Sequence, residues 1–319
     1  MCRSRRPPEP SALLAQPADG AANHHEHRPR GREGDGLKRL PELVLVLVTV
    51  IWGGTFLATR TALQGMGPFT LLFVRFAIGA VLVGAFIRRR PSAREAMGAL
   101  IVSIAIMVAF AAQTVGLQTI GSARAAFLTA FYVPLVPLLQ GPLTGRRPSR
   151  GAVVGAMLAF VGLTVLAMGD GAKGGLSLGD MLVLFGAVAS ALQIVLVGRF
   201  ASGGDAASLT AIQLGGVALL SLGGATVEGM HMTLPAMIVA GGLGIFGTAG
   251  ALFAMNWAQR TVSPTKATLI YALEPVWAAF IGAAAGERLG LWSYAGGALV
   301  VVGAVVGEFL PERPEPVLA

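Results

Sequence analysis

Residues 121–147 read GSARAAFLTAFYVPLVPLLQGPLTGRR, and residues 262–288 read VSPTKATLIYALEPVWAAFIGAAAGER. Set against each other at an offset of 141 residues, they pair Ser122 with Ser263, Leu128 with Leu269, Pro134 with Pro275, Gly145 with Gly286 and Arg147 with Arg288. The match runs without a gap over 111–165 and 252–306. It adds Gln118/Gln259, Gly155/Gly296 and Gly162/Gly303 and reaches 13 identities in 55 positions. A chain this rich in Ala, Gly, Leu and Val gives about five by chance. The excess falls on Pro, Gln, Ser and Gly, which hydrophobicity alone does not select, so the chain carries two copies of one unit.

The solvent for those copies is set by composition. Of 319 residues, 54% are hydrophobic and 13% charged, with a mean hydropathy of +0.71. Soluble domains carry about 25% charged residues, and disordered chains are poor in apolar residues. A disulfide scaffold is excluded because Cys2 is the only cysteine. Ten apolar runs follow from Leu43 onward: 43–59, 69–87, 96–116, 121–140, 151–169, 180–198, 207–226, 235–256, 267–285 and 291–310. Each is near the 17–25 residues that cross a bilayer as a helix, and none alternates as a barrel strand would. The reading is an all-α integral membrane protein with ten transmembrane helices.

The net charge of +8 labels topology rather than a nucleic-acid partner. Eight of the 24 Lys and Arg lie in the first 39 residues. Beyond the tail, eleven basic residues fall on the side shared with the N-terminus and four (Arg60, Arg124, Lys173, Arg288) on the other. Both termini are therefore expected in the cytoplasm, with the chain multi-pass in the cell (plasma or inner) membrane. Residues 1–41 read as a disordered basic cytoplasmic tail without a signal peptide. The folded part is taken to begin near Leu37, and whether residues 1–36 are translated is left open. His24, His25, Glu26 and His27 cluster there without the imposed geometry of a metal site, and no cofactor is expected. Repeats at 42–169 and 180–310 each hold five helices, and 311–319 forms a cytoplasmic tail. Because five is odd, the second copy enters from the opposite face: two inverted five-helix repeats, the architecture of secondary transporters with a midplane site.

Few polar side chains lie deep in the runs. Glu274 is the only acid well inside a span, and a mid-span acid is costly enough to suggest a role, here proton coupling. Pairing with a neighbouring polar group is the structural alternative. Arg75 is the one basic residue well inside, a candidate clamp for a substrate carboxylate or a snorkelling side chain. Gln113, Gln193, Gln213 and Asn256 are candidates for a wet pocket or for interhelical hydrogen bonds. Gln118 and Gln259, nearer helix ends, need only interfacial water. Trp52, Tyr132 and Tyr271 lie too deep for an interfacial belt and suit either a pocket wall or core packing. Pro134, Pro137 and Pro275 are expected to bend the fourth and ninth helices at matching depths. Gly151/Gly155, Gly282/Gly286 and Gly303/Gly307 have the spacing of close helix contacts.

Several short motifs resemble the drug/metabolite transporter superfamily, specifically its EamA-type members, over residues 42–310. They are Trp52-Gly53-Gly54-Thr55-Phe56, Arg75-Phe76, Ser122-Ala123-Arg124-Ala125-Ala126-Phe127-Leu128, Gly179-Asp180, Leu273-Glu274-Pro275-Val276 and Gly286-Glu287-Arg288. The resemblance implies ten helices, no ATP use and export or exchange of small metabolites, often amino acids or their relatives. The first repeat has Val133 where the second has Glu274, so the symmetry is broken at the most polar point.

The expected function is a secondary active exporter of amino acids or related metabolites working by alternating access, with or without proton coupling. Multidrug efflux of lipophilic cations is the alternative. An intramembrane enzyme lacks a triad, a P-loop or an HExxH pattern, and a channel would favour rings of charge. The expected partners are a small-molecule substrate and the lipid bilayer, with no nucleic acid, in a monomer or homodimer.

Overall fold

The computed structural model describes residues 33–145, 148–169, 176–201, 205–286 and 290–309. The tail through residue 32 with its histidine cluster, Lys173, Glu287-Arg288 and the 311–319 segment lie outside the described residues. Of the described residues, those from Arg39 onward pack as one unit.

Among the described residues all regular elements are helical. They are α1 (Glu33–Ala62), α2 (Pro68–Gly84), α3 (Ala93–Gly116), α4 (Ser122–Thr129), α5 (Tyr132–Thr144), α6 (Arg150–Gly169), α7 (Leu178–Ala201), α8 (Ala206–Val227), α9 (Leu234–Gly242), a π-helical segment (Leu243–Gly250), α10 (Ala251–Ala258), α11 (Pro264–Tyr271), α12 (Glu274–Ala284) and α13 (Leu291–Phe309). Helix already starts at Glu33, inside the stretch read as irregular tail. Among the described residues, seven stretches are long and apolar enough to cross a membrane: Arg39–Ala62, Ala93–Gly116, Ser122–Thr144, Leu178–Phe200, Ala206–Val227, Leu234–Ala258 and Pro264–Ala284. Leu47, Val81, Phe185, Leu219, Ile238 and Phe246 stand exposed. In water such a surface would drive aggregation, whereas in lipid it is the expected exterior.

Helix starts are capped locally. Ser92 and Glu95 form a reciprocal capping box at α3. Asp205 accepts from Ser208 N (2.9 Å) at α8. At α2 the cap comes from a distant residue. Glu228, just past α8, accepts from Phe69 N (3.0 Å), Thr70 N (2.8 Å) and Thr70 Oγ1 (2.8 Å), a carboxylate on the positive end of a helix.

The prolines do more than bend the fourth and ninth crossings. Each crossing is interrupted, between α4 and α5 at Ala130–Phe131 and between α11 and α12 at Ala272–Leu273. Pro134 and Pro275 sit in the first turn of the restarted helix, where a missing N–H is tolerated. Tight i→i+3 bonds carry the chain across: Phe131 N to Leu128 O (3.1 Å) and Val133 N to Ala130 O (2.9 Å) in one, Leu273 N to Ile270 O (3.1 Å) and Val276 N to Leu273 O (3.1 Å) in the other.

Elements at equivalent positions of the two copies pack on each other. α6 lies against α13, and α2 against α8. The α6–α13 crossing is built from the repeated glycines: a Cβ on Gly162 would stand 2.7 Å from Gly296 O, and one on Gly303 would stand 2.6 Å from Gly155 O. Gly286 does not serve such a contact. At φ +93° it follows the end of α12, as its equivalent Gly145 does at φ +73° after α5, each stopping a helix in a conformation that favours glycine.

Candidate substrate cavity

The two helix breaks face one small cavity of about 50 Å³, lined by Trp52, Thr55, Phe110, Gln113, Thr129, Tyr132, Ser190, Gln193, Ile194 and Glu274. α1, α3, α7 and both broken crossings contribute, so side chains from both copies line one space. Tyr132 and Glu274 each open a restarted helix, and the Tyr132 hydroxyl donates to Glu274 Oε2 at 3.2 Å. Glu274 is buried, and it is the one charged side chain among the lining residues. A carboxylate removed from water with one neutral donor is under-satisfied. It remains able to engage a cationic or hydrogen-bonding group entering the cavity.

The aromatic wall is fixed from outside. Trp52 Nε1 donates to Gly247 O at 3.1 Å. That carbonyl belongs to the π-helical segment, whose altered register disturbs the usual helical pairing. Tyr271 packs against the Trp52 ring at 5.5 Å and is fully buried, and its hydroxyl has no hydrogen-bond partner among the described residues. Gln113 donates to Thr129 Oγ1 (3.1 Å), across α3 and α4. Gln193 has only a long contact to the Met255 sulfur (3.8 Å), which leaves its amide mostly unspent.

Four candidates do not line the cavity: Tyr271, which backs Trp52, and Arg75, Gln213 and Asn256. Arg75 is 1% exposed, donates Nε to Thr248 Oγ1 at 2.9 Å, and stacks over Phe110 at 5.1 Å and Phe76 at 5.6 Å. Phe110 thus separates the guanidinium from the cavity. Gln213 and Asn256 answer each other: Gln213 Nε2 to Asn256 Oδ1 is 3.3 Å and Asn256 Nδ2 to Gln213 Oε1 is 2.8 Å, with Thr210 Oγ1 also accepting at 3.0 Å. They join α8 to α10 as an interhelical lock. Gln259, expected to be satisfied by interfacial water, is 3% exposed, and neither amide atom has a partner among the described residues, whereas Gln118 is exposed.

Thr55, Phe110, Thr129, Ser190 and Ile194 line the cavity without having been singled out from the sequence. Small hydroxyls and apolar residues carry no signal of their own. Thr129 had one indirect mark, its place immediately before the break.

The model of the EamA-like transporter family matches this chain twice, at residues 39–168 and 177–307. The chain belongs to the EamA-like transporter family. Two curated relatives agree. An uncharacterized transporter of Archaeoglobus fulgidus is 28% identical over 276 residues, covering 85% of this chain and 87% of its own length. The uncharacterized inner membrane transporter YedA of Escherichia coli is 27% identical over 287 residues, covering 85% and 92%. A solved crystal structure, 21% identical, superposes with a TM-score of 0.68 over 83% of this chain and 95% of its own, which establishes the shared fold. This member of the family is thus a membrane transporter. The two matches end in α6 and α13, the helices that pack on each other.

Proposed function

We propose that this transporter is a secondary active exporter of small metabolites that carry an amine, amino acids among them, and that it works by alternating access with proton coupling at Glu274. The observation that carries this reading is the Tyr132–Glu274 contact at the meeting of two interrupted crossings. Interrupted helices facing a polar cavity are how transporters present unpaired backbone and side-chain groups to a substrate inside a bilayer. Two family matches of nearly equal length, separated by a short linker, support ten crossings arranged as two five-helix repeats. The odd count makes them inverted. The excess of Lys and Arg on one side supports cytoplasmic termini.

The same geometry gives weight to a second reading, efflux of lipophilic cations. The cavity's one charged lining residue is an acid, its neighbours Trp52, Phe110 and Tyr132 are aromatic, and the basic Arg75 is walled off. Such a site favours a cation with an apolar body.

Purified protein in liposomes separates these readings. A thermal-shift screen against amino acids, sugars and cationic drugs identifies a ligand by the rise in melting temperature that selective binding to the native state produces. Flux of that ligand is then driven by a pH gradient. Glu274→Gln is expected to abolish gradient-driven flux while leaving gradient-independent exchange. Unchanged gradient-driven flux in this variant refutes the proton role.

A further inference from the structure

Two ion pairs lie beyond the cavity, one at each end of the helices that line it. Arg124 meets Asp180 through Nε–Oδ1 (2.6 Å) and Nη2–Oδ2 (3.0 Å), tying the start of α4 to the start of α7. Lys266 Nζ meets Glu42 Oε1 at 2.7 Å, tying the start of α11 to α1. Each pair crosses from one copy to the other. Each also joins a broken crossing to the first crossing of the opposite copy.

Their spacing to the cavity is the same. Asp180 precedes the lining residue Ser190 by ten positions, and Glu42 precedes the lining residue Trp52 by ten, about 15 Å of helix. Arg124 precedes Tyr132 by eight positions, and Lys266 precedes Glu274 by eight. Glu42/Asp180 and Trp52/Ser190 are both related by 138 residues, and Arg124/Lys266 and Tyr132/Glu274 both by 142. Within each crossing, then, the ion-pair residue and the cavity residue keep the same separation in both copies. On the proposed topology the Arg124 pair stands at the outer face and the Lys266 pair at the inner face.

The pairs differ in strength. The outer one is bidentate, and its carboxylate is 2% exposed and also accepts from Ser177 N and Ser177 Oγ, both at 2.8 Å. The inner one joins Lys266 to one oxygen of Glu42, between side chains 34% and 28% exposed. Charge-assisted bidentate contacts sheltered from water hold better than more exposed monodentate ones.

We propose that the two pairs are matched latches on the cavity: Arg124–Asp180 must part for outward opening, Lys266–Glu42 for inward opening, and the stronger outer latch biases the resting protein toward inward access. This rests on the alternating-access reading above. Parting the starts of α4 and α7 opens a path along the two helices that carry Thr129, Ser190 and Gln193. Parting α11 from α1 does so along those that carry Trp52 and Glu274. A bias set by two unequal latches also gives a direction to the resting state without any ligand.

The test reads access without a substrate. Ser190→Cys in a Cys2→Ala background is labelled by a membrane-impermeant cationic methanethiosulfonate, applied to right-side-out or inside-out vesicles. The parent is expected to react faster from the inner face. Asp180→Asn, or Arg124→Gln should that variant fold poorly, raises the outer-face rate at least fivefold. Glu42→Gln or Lys266→Met raises the inner-face rate and leaves the outer one unchanged. Exchanging the charges, Arg124→Asp with Asp180→Arg, returns the outer rate toward the parent's. Equal increases from both faces in every variant mean general loosening and overturn the latches, as does no change in any. Effects on the reversed faces sustain the latches and overturn only the topology. A parent labelled equally and rapidly from both faces overturns alternating access and the latches with it.

Discussion

Gly53 and Gly54 are neighbours in α1 beside the cavity, and their substitution by alanine has opposite expected outcomes. A Cβ on Gly53 would stand 2.6 Å from Trp277 Cβ, 2.9 Å from Ala278 N and 3.1 Å from Glu274 O. Ordinary contact begins at 3.4 Å, so α1 and α12 must separate by about 0.8 Å. None of those three atoms can rotate aside, since all are backbone or fixed to it. Overpacking of this kind costs about 1–3 kcal/mol, against a gain of about 1 kcal/mol from replacing glycine in a helix. A Cβ on Gly54 meets only the Ile281 Cδ1 tip at 3.5 Å, so there the helix gain stands nearly alone. Gly53→Ala should therefore be less stable than Gly54→Ala by about 2 kcal/mol, roughly 4–8 °C in melting temperature if each kcal/mol moves a chain of this size by about 2–4 °C. Heating detergent-solubilised protein and following the monodisperse peak by fluorescence-detected size exclusion measures this. The shift also carries Glu274, in the first turn of α12, away from Tyr132. Their hydroxyl–carboxylate contact is already 3.2 Å, so Gly53→Ala should lose transport more than it loses stability. A Gly53→Ala protein that melts at or above Gly54→Ala refutes the close crossing and the account of the site built on it.

Other outcomes follow from the same contacts. Asn256→Ala and Gln213→Ala should lower stability without weakening ligand binding, and a double-mutant cycle should show a coupling of about 0.6–1.7 kcal/mol, the range for interhelical hydrogen bonds in bilayers. Loss of binding at unchanged stability would return both residues to the cavity. Thr248→Val removes the one hydrogen-bond acceptor of the Arg75 guanidinium given by the structure and should cost about 1–3 kcal/mol in thermal unfolding, the penalty of a buried polar group left unmet. Tyr132→Phe leaves Glu274 without its donor, and is expected to alter the pH dependence of flux while Tyr271→Phe does not. Identical profiles for the two variants would separate Tyr132 from the coupling step.

The sequence disclosed the membrane setting and the two copies because both are written in composition and in Pro, Gly and Ser positions, which survive when apolar residues drift. It disclosed Glu274 and Tyr132 because a polar group in an apolar run has few innocent explanations. It could not place Arg75, since a guanidinium buried on Phe110 and Phe76 and one facing a cavity look alike in one dimension. Nor could it separate Gln113, which reaches the cavity, from Gln213, which is spent on Asn256, because helix rotation decides between them. The π-helical segment was also hidden. Its LGIFGTAG sequence reads as an ordinary apolar helix, yet its register presents the Gly247 carbonyl to Trp52.

Glu274 has two counterparts in the first copy, depending on the offset. At 141 residues Glu274 stands opposite Val133, and the repeat looks broken there; at 142, the relation shared by Arg124 and Lys266, it stands opposite Tyr132. In space Tyr132 and Glu274 touch. α6 packs on α13 and α2 on α8, an element of one copy against its counterpart in the other, and the Tyr132–Glu274 contact likewise joins the openings of α5 and α12. Two identical residues there would offer a substrate no distinction between the halves, and two acids would repel each other in a low dielectric. One acid and one phenol satisfy each other in the empty cavity and give a proton or an ammonium one preferred partner. The two copies therefore differ where their broken helices meet, at the contact that would give an entering group a preferred side.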